Sequence, residues 1–244
     1  MLLQKNNSIS FIFPCFNEEK RILHLLNSII LFLKKNETNS DIFEFIIIND
    51  GSYDKTENLI KKNKLYKNHN FKLISYKENK GKGYALMRGI KIAKFEWAIT
   101  LDTDLSVDLD EAIQKFNLYL SKNYKVYFGS RNLPSSKTKK TFLRFIIGSL
   151  FNFLIKIFLK IQLKDTQCGF KIYHQSIKDY IFDQLTDMSY SHDLEIAIIC
   201  KIKKINILEI PVKWTHQSGS KVNILKDGFK MFLNILTFKK IYKI

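Results

Sequence analysis

Proline occurs three times in 244 residues, glycine nine times and cysteine three times. With 45% hydrophobic residues, that scarcity excludes a disordered or low-complexity chain and leaves enough apolar side chains for one domain with a full core. Cys15, Cys168 and Cys200 are an odd set without CxxC spacing. Neither a disulfide framework nor a cysteine zinc site is thereby indicated, and a reducing, cytoplasmic setting is expected. The five histidines show neither HxxxH nor HExxH spacing, so none is assigned to a metal. Lys5, Asn6, Asn7 and Ser8 interrupt any apolar leader after Met1, and export is not expected. The longest apolar stretch, residues 145–161, is broken by Lys156 and Lys160 and falls short of the roughly 20 residues a membrane-spanning helix needs.

Acidic residues are also in short supply, 23 against 40 basic ones, for a net charge of +17. Such a surface attracts nucleic-acid phosphates or an anionic membrane, and it is equally what many solvated lysines produce. No RNP-type or other nucleic-acid motif accompanies the charge, so no nucleic-acid partner is expected.

What is present is an alternation of short apolar runs and amphipathic segments. Residues 9–13 read as a strand closed by Pro14, followed by Asn17 as a helix cap and a helix whose apolar face is Ile22, Leu25, Leu26, Ile29 and Leu33. Strands over residues 43–48 and 71–76 each lead into a helix, the first over 54–63 and the second running to about residue 94. A fourth strand starts at Trp97. Further elements are a helix over 109–120, a strand over 124–128, a helix over 192–200, a strand over 205–212 and a C-terminal amphipathic helix over 223–238. Three strand–helix alternations before the fourth strand imply a single α/β domain with a mostly parallel sheet and helices on both faces.

The chemistry gathers where strands end. Open α/β sheets bind ligands at the carboxyl edge, where Asp50 and Asp102 should both emerge. Asn49-Asp50-Gly51-Ser52 taken alone reads better as an ordinary tight turn. Asn79-Lys80-Gly81-Lys82-Gly83 opens a helix with groups suited to phosphate, although the spacing is not that of a P-loop. Asp102-Thr103-Asp104 stops an apolar strand with two carboxylates. Such a pair fits Mg2+ or Mn2+, which take one or two carboxylates and leave the remaining positions to water and substrate phosphate. Gly129-Ser130-Arg131 ends the next strand. On the apolar segment Lys140, Arg144, Gly148, Asn152, Lys156 and Lys160 recur every fourth residue, as on a core helix or one lying in a membrane interface. Asp165-Thr166-Gln167-Cys168-Gly169-Phe170-Lys171 reads as a polar loop. Asp193 and Glu195 open an apolar helix, where buried carboxylates need a partner or a function.

Taken in order, these pieces, together with Phe13-Pro14-Cys15-Phe16-Asn17-Glu18-Glu19, Leu105-Ser106, Glu209-Ile210-Pro211-Val212 and Gly219-Ser220-Lys221, resemble the family-2 glycosyltransferases of the GT-A fold. Within them the chain is most similar to the polyprenyl-phosphate group, close to dolichyl-phosphate glucosyltransferases. The resemblance implies a GT-A (Rossmann-like) domain, residues 8–130 forming the nucleotide-sugar half and 131–244 an acceptor and membrane-associating half with amphipathic C-terminal helices. It implies that Pro14, Phe16, Glu18 and Asp50 line the nucleobase and ribose pocket, that Asp102 and Asp104 meet metal and diphosphate, and that Lys221 lies near the phosphates. Arg131 and Arg144 are implied to hold the lipid phosphate. Asp165 and Asp193 stand as candidates for orienting acceptor or sugar, and Lys82 as a phosphate-binding group. Phe16 stands where Tyr is usual, and Asn49 where many members have Asp. Ser106 and Gly148 replace a Gln and a Ser of the mannosyltransferases, which favours glucose, or another hexose from UDP, over mannose. The implied partners are a UDP-hexose, a polyprenyl phosphate and, peripherally, a membrane surface. Rival readings are a mannosyltransferase using GDP-mannose, a transferase acting on a saccharide hydroxyl with a strong general base, and a basic RNA-binding protein.

Overall fold

Strand β1 (Ile9–Cys15) pairs in parallel with β2 (Phe43–Asp50) on one side and β4 (Trp97–Thr100) on the other, and β2 pairs in parallel with β3 (Phe71–Tyr76). The computed structural model describes residues 7–120, 123–138, 142–215 and 224–244. Helices α1 (Ile22–Lys35), α2 (Thr56–Lys62) and α3 (Lys82–Ile92) connect the first four strands. Then follow α4 (Leu109–Tyr119), β5 (Val126–Ser130), β6 (Lys137–Thr138), α5 (Phe142–Leu159), β7 (Lys171–His174), α6 (Lys178–Phe182), α7 (His192–Ile202), β8 (Ile207–Pro211), β9 (Lys213–Trp214) and α8 (Ile224–Ile241). The main sheet runs β3-β2-β1-β4-β7-β5-β8, and β6 pairs with β9 beside it.

The strands read as unbroken apolar runs because both faces of the sheet are covered. In β1, Phe11 and Phe13 point into a core shared with α1, α2 and α4, while Ile12 points the other way, toward Ala85 and Leu86 of α3. Strand β2 repeats the division, with Phe45 and Ile47 on the first face and Ile46 and Ile48 on the second. The expected parallel α/β sheet is therefore present.

The shortest strands, β6, β7 and β9, escaped the sequence reading, and β7 matters most for the site. The four residues of β7 are too short for a periodic signal, yet they enter between β4 and β5 antiparallel to both, with Ala98 opposite Tyr173 and Tyr127 opposite Ile172. Residues 165–170, read as a plain loop, are thereby carried across the carboxyl end of β4. Thr100 Oγ1 donates to the Gly169 carbonyl at 3.0 Å and the Gly129 amide to the Phe170 carbonyl at 2.9 Å.

Asn17 also corrects an expectation. It does not cap α1, which begins five residues later behind Arg21. Asn17 takes φ of +53°, its amide donates to Ser52 Oγ at 2.8 Å, and its own side chain accepts from the Tyr53 amide at 3.0 Å. The residue clips the β1 loop to the β2 loop. Helix α5 has a buried edge, Ile155 and Leu159, and an exposed one, Phe153 and Ile157. It packs beside α8, which buries Ile235 and Phe238 and exposes Leu233, Leu236 and Ile241.

Candidate active site

The loops after β1, β2 and β4 meet at the carboxyl edge of the parallel strands. Asp50 ends β2, where Gly51 takes φ of +70°; a Cβ there would fall 2.5 Å from the Asn79 amide nitrogen, so the turn accepts only glycine. The Asp50 carboxylate is buried and accepts from Asn79 Nδ2 at 2.9 Å, the Lys80 amide at 2.8 Å and the Gly81 amide at 3.0 Å. It fastens the turn that opens α3 and aims Lys82 back across the edge.

Lys82 Nζ meets Asp102 Oδ1 at 2.6 Å. Burial would raise the Asp102 carboxyl, but the Lys82 ammonium outweighs it and holds the group below its ordinary value. Thr103 donates to the Pro14 carbonyl at 2.7 Å, which ties the end of β4 to the end of β1. Asp104 Oδ1 accepts from both the amide and the hydroxyl of Ser106, at 2.9 and 2.8 Å, in a turn where Leu105 takes φ of +53°. The other oxygen, Oδ2, faces Arg21 Nη1 at 3.9 Å. Arg21 is gripped by Glu18 through two bonds of 2.6 Å. The ring of Phe16 meets Tyr53 edge to face at 5.9 Å between centroids.

A second cluster lies beyond β4. Arg131 follows β5 and donates through its amide, Nε and Nη2 to Asp165, at 2.9, 2.7 and 2.9 Å. The Trp214 ring lies 5.7 Å from the guanidinium. Burial would raise the Asp165 carboxyl, yet Arg131 keeps it below the usual range, and Glu209 secures the Asp165 amide at 3.0 Å. Asp165 is thus a partner of Arg131. The 165–170 loop runs between the two clusters: Asp165 at its start holds Arg131, and Gly169 near its end lies against Asp102, where a Cβ would sit 2.2 Å from Oδ2.

Asp193, in the first turn of α7, is buried with Lys171 Nζ at 2.9 Å and His192 Nε2 at 3.0 Å. Burial alone would raise it; His192 and Lys171 drive it well below the carboxylate range. Glu195 has a purely internal task. It accepts from the amides of Thr186 and Asp187 and from Tyr242, at 2.9, 2.8 and 2.7 Å, anchoring the segment after α8.

Among the residues expected from sequence, Lys82 and Asp102 meet directly, Pro14 is tied to the end of β4 through Thr103, and Glu18 reaches Asp104 through Arg21. Lys221 lies outside the described residues, as does the side chain of Arg144, whose backbone belongs to α5. Sequence reading missed Arg21, Lys171 and His192. The i, i+3 spacing of Glu18 and Arg21 was the one local signal.

Whether a divalent ion suits this edge follows from its donors. Asp102 and Asp104 offer hard carboxylate oxygens, and no three His, Cys, Asp or Glu converge among the described residues. That set fits Mg2+ or Mn2+ completed by substrate phosphate and does not fit zinc.

A mostly parallel sheet with paired carboxylates and cationic arms on its carboxyl edge is the arrangement that the resemblance to GT-A glycosyltransferases implies. The sequence model of glycosyl transferase family 2 matches residues 10–182, and the chain belongs to that family. It is 30% identical to a dolichyl-phosphate beta-glucosyltransferase of Trichomonas vaginalis, over 97% of this chain and 74% of that one. The dolichyl-phosphate beta-glucosyltransferase of Saccharomyces cerevisiae is 31% identical, over 96% of this chain and 75% of its own length. In fold the chain is similar to glucosyl-3-phosphoglycerate synthase of Mycobacterium tuberculosis bound to UDP. The TM-score is 0.68 at 16% identity, covering 98% of this chain and 81% of that one.

Proposed function

We propose that this glycosyltransferase moves glucose from UDP-glucose to dolichyl or another polyprenyl phosphate, with inversion at the anomeric carbon. The observation that carries the reading is Arg131, clamped by Asp165 at the start of the 165–170 loop whose Gly169 lies against Asp102, which sets an anion-binding group on the loop that flanks the diphosphate-binding edge. The names of the relatives support glucose and dolichyl phosphate, and the UDP complex of the structural neighbour supports the donor.

In this reading residues 8–130 hold the donor. Pro14, Phe16, Glu18 and Asp50 shape the nucleoside end. Lys82 trades part of its bond with Asp102 for the diphosphate, and Lys221 joins it. Asp102 and Asp104 would hold a divalent ion, and the chemistry it would supply is neutralisation of charge on the departing diphosphate. Residues 131–244 receive the acceptor, whose phosphate is held by Arg131 and Arg144. A phosphate monoester has a second pKa of about 6, so its oxygen is already a dianion's at neutral pH. It attacks C1 of glucose from the face opposite the diphosphate. The C1–O bond to UDP breaks, its electron pair stays on UDP, and no proton has to be removed. Positioning is the chain's main contribution. Asp165 acts through Arg131, and Asp193 orients the sugar.

No helix among the described residues is long and apolar enough to cross a membrane. The exposed Phe153 and Ile157 of α5 and Leu233, Leu236 and Ile241 of α8, flanked by the exposed Lys156, Lys239 and Lys240, support peripheral contact with the cytoplasmic face of an anionic membrane.

The test offers UDP-glucose, UDP-galactose, UDP-N-acetylglucosamine and GDP-mannose with polyprenyl phosphate, with and without chelator. A glucolipid from UDP-glucose that disappears with chelator is expected. A product formed only on a water-soluble saccharide, or a mannolipid from GDP-mannose, overturns the proposal.

A further inference from the structure

The two carboxylates at the end of β4 each have a resident cation. Lys82 holds Asp102 at 2.6 Å, and Arg21 faces Asp104 Oδ2 at 3.9 Å. Arg21 reaches that place from the loop before α1, and its aim is set by Glu18. The Glu18 oxygens engage Nε and Nη2 at 2.6 Å each, so that the edge carrying Nη1 is turned toward Asp104. The Glu18 amide is itself anchored on Thr56 Oγ1 at 2.7 Å, and the side chain is nearly buried. A planar guanidinium locked by a bidentate carboxylate and presenting its outer edge is a preorganised anion receptor. Arg21 thus stands between two carboxylates, Glu18 and Asp104, while Lys82 holds Asp102.

We propose that Arg21 is a donor-binding residue with two tasks: it neutralises Asp104 while the site is empty of donor, and it contacts the diphosphate when donor arrives. The inference rests on the donor-site reading above. Its physical basis is competition. A divalent ion entering alone must displace both cations from their carboxylates. A diphosphate offers Arg21 and Lys82 a second anion and leaves the carboxylates to the ion. Metal and nucleotide therefore bind with positive coupling, and Arg21 is one source of it.

Two binding measurements test this without turnover: Mn2+ alone, followed by the loss of its free electron-spin signal, and UDP in saturating Mn2+, followed by calorimetry. In Arg21→Gln, affinity for Mn2+ alone is expected to rise by about fivefold, the size of one partly exposed ion pair. Affinity for UDP with Mn2+ is expected to fall by about 10- to 100-fold, as for a lost charge-assisted hydrogen bond. Arg21→Lys, which keeps the charge without the fork, is expected to match the wild type toward Mn2+ alone and to recover part of the UDP affinity. Opposite signs in the two affinities support the inference, since a merely structural role weakens both together. If both fall, or neither moves, Arg21 is only the partner of Glu18 and the inference is overturned. If Arg21→Gln does not fold, Arg21→Lys decides, and undiminished UDP binding by it overturns the inference. Failure of the wild type to bind UDP with Mn2+ overturns the donor-site reading itself.

Discussion

Gly169→Ala probes the geometry on which the whole edge depends. The new Cβ would fall 2.2 Å from Asp102 Oδ2, 2.5 Å from Cγ and 2.7 Å from Oδ1, where ordinary contact begins at 3.4 Å. The carboxylate must therefore retreat by roughly 1 Å, or the glycine backbone must. Neither moves freely. Lys82 holds Asp102 Oδ1 at 2.6 Å, and Thr100 holds the Gly169 carbonyl at 3.0 Å. Overpacking of this kind costs about 1–3 kcal/mol, and the half-open position of Asp102 puts the expected loss near the lower end, a melting temperature lower by about 2–4 °C. Activity should suffer far more, because displacing a positioned group by about 1 Å costs on the order of 100-fold in rate. The assay is kcat for glucose transfer to polyprenyl phosphate from UDP-glucose, alongside thermal unfolding followed by circular dichroism. Gly148→Ala is the control. A Cβ there has nothing within 4 Å in the exposed middle of α5, and it should stabilise the protein by about 0.5–1 kcal/mol. A Gly169→Ala enzyme that folds and turns over at the wild-type rate would refute the placement of Asp102 against the 165–170 loop.

Asp165→Asn removes the anion that orients Arg131 inside a largely buried pair; unfolding in urea should show a loss of about 3 kcal/mol, and KM for polyprenyl phosphate should rise more than KM for UDP-glucose. Equal changes in both KM values would contradict the assignment of Arg131 to the acceptor. Asp165 and Asp193 both titrate in the folded protein below their ordinary value, because Arg131 in one case and His192 with Lys171 in the other outweigh burial. Their stabilisation is fully present above the unfolded carboxyl value of about 3.9 and is lost as pH falls toward the folded values, so acid unfolding should set in below about pH 4. Urea midpoints measured from pH 7 downward at fixed ionic strength check this, and loss of these pairs beginning near pH 6 would count against it. Lys156→Gln and Lys239→Gln should each weaken binding to anionic vesicles by about 1 kcal/mol, roughly fivefold, and leave neutral vesicles unaffected. Cosedimentation reads the difference, and equal binding to both vesicle types would remove α5 and α8 from the membrane.

Helices and parallel strands were legible wherever an apolar run or a helical stripe exceeded the noise of a single turn. The face of α1 named from periodicity is the buried one, apart from Leu33, which is partly buried against the same core. Strands β6 and β9 and the insertion of β7 were not legible, because two- and four-residue strands carry no period and are defined only by their partners. Asn17 was misread for a related reason. As the first capping residue after a strand it suits a helix start, but its amide and side chain are claimed by Ser52 and Tyr53 from another loop.

The sequence by itself determined which strands end in chemistry. Asp50, Asp102 and Arg131 each close an apolar run, and a parallel sheet delivers such ends to one edge. Only the tertiary structure decided what each charge faces. Lys82 meets Asp102, Arg131 meets Asp165, Lys171 meets Asp193 and Arg21 looks toward Asp104. All four pairs join different loops or elements across the fold, and the last depends on how the β1 and β4 loops are tied together through Pro14 and Thr103. Local sequence records a residue's charge, whereas its counterion is set by packing, because burying a charge is tolerable only where the fold supplies the opposite one.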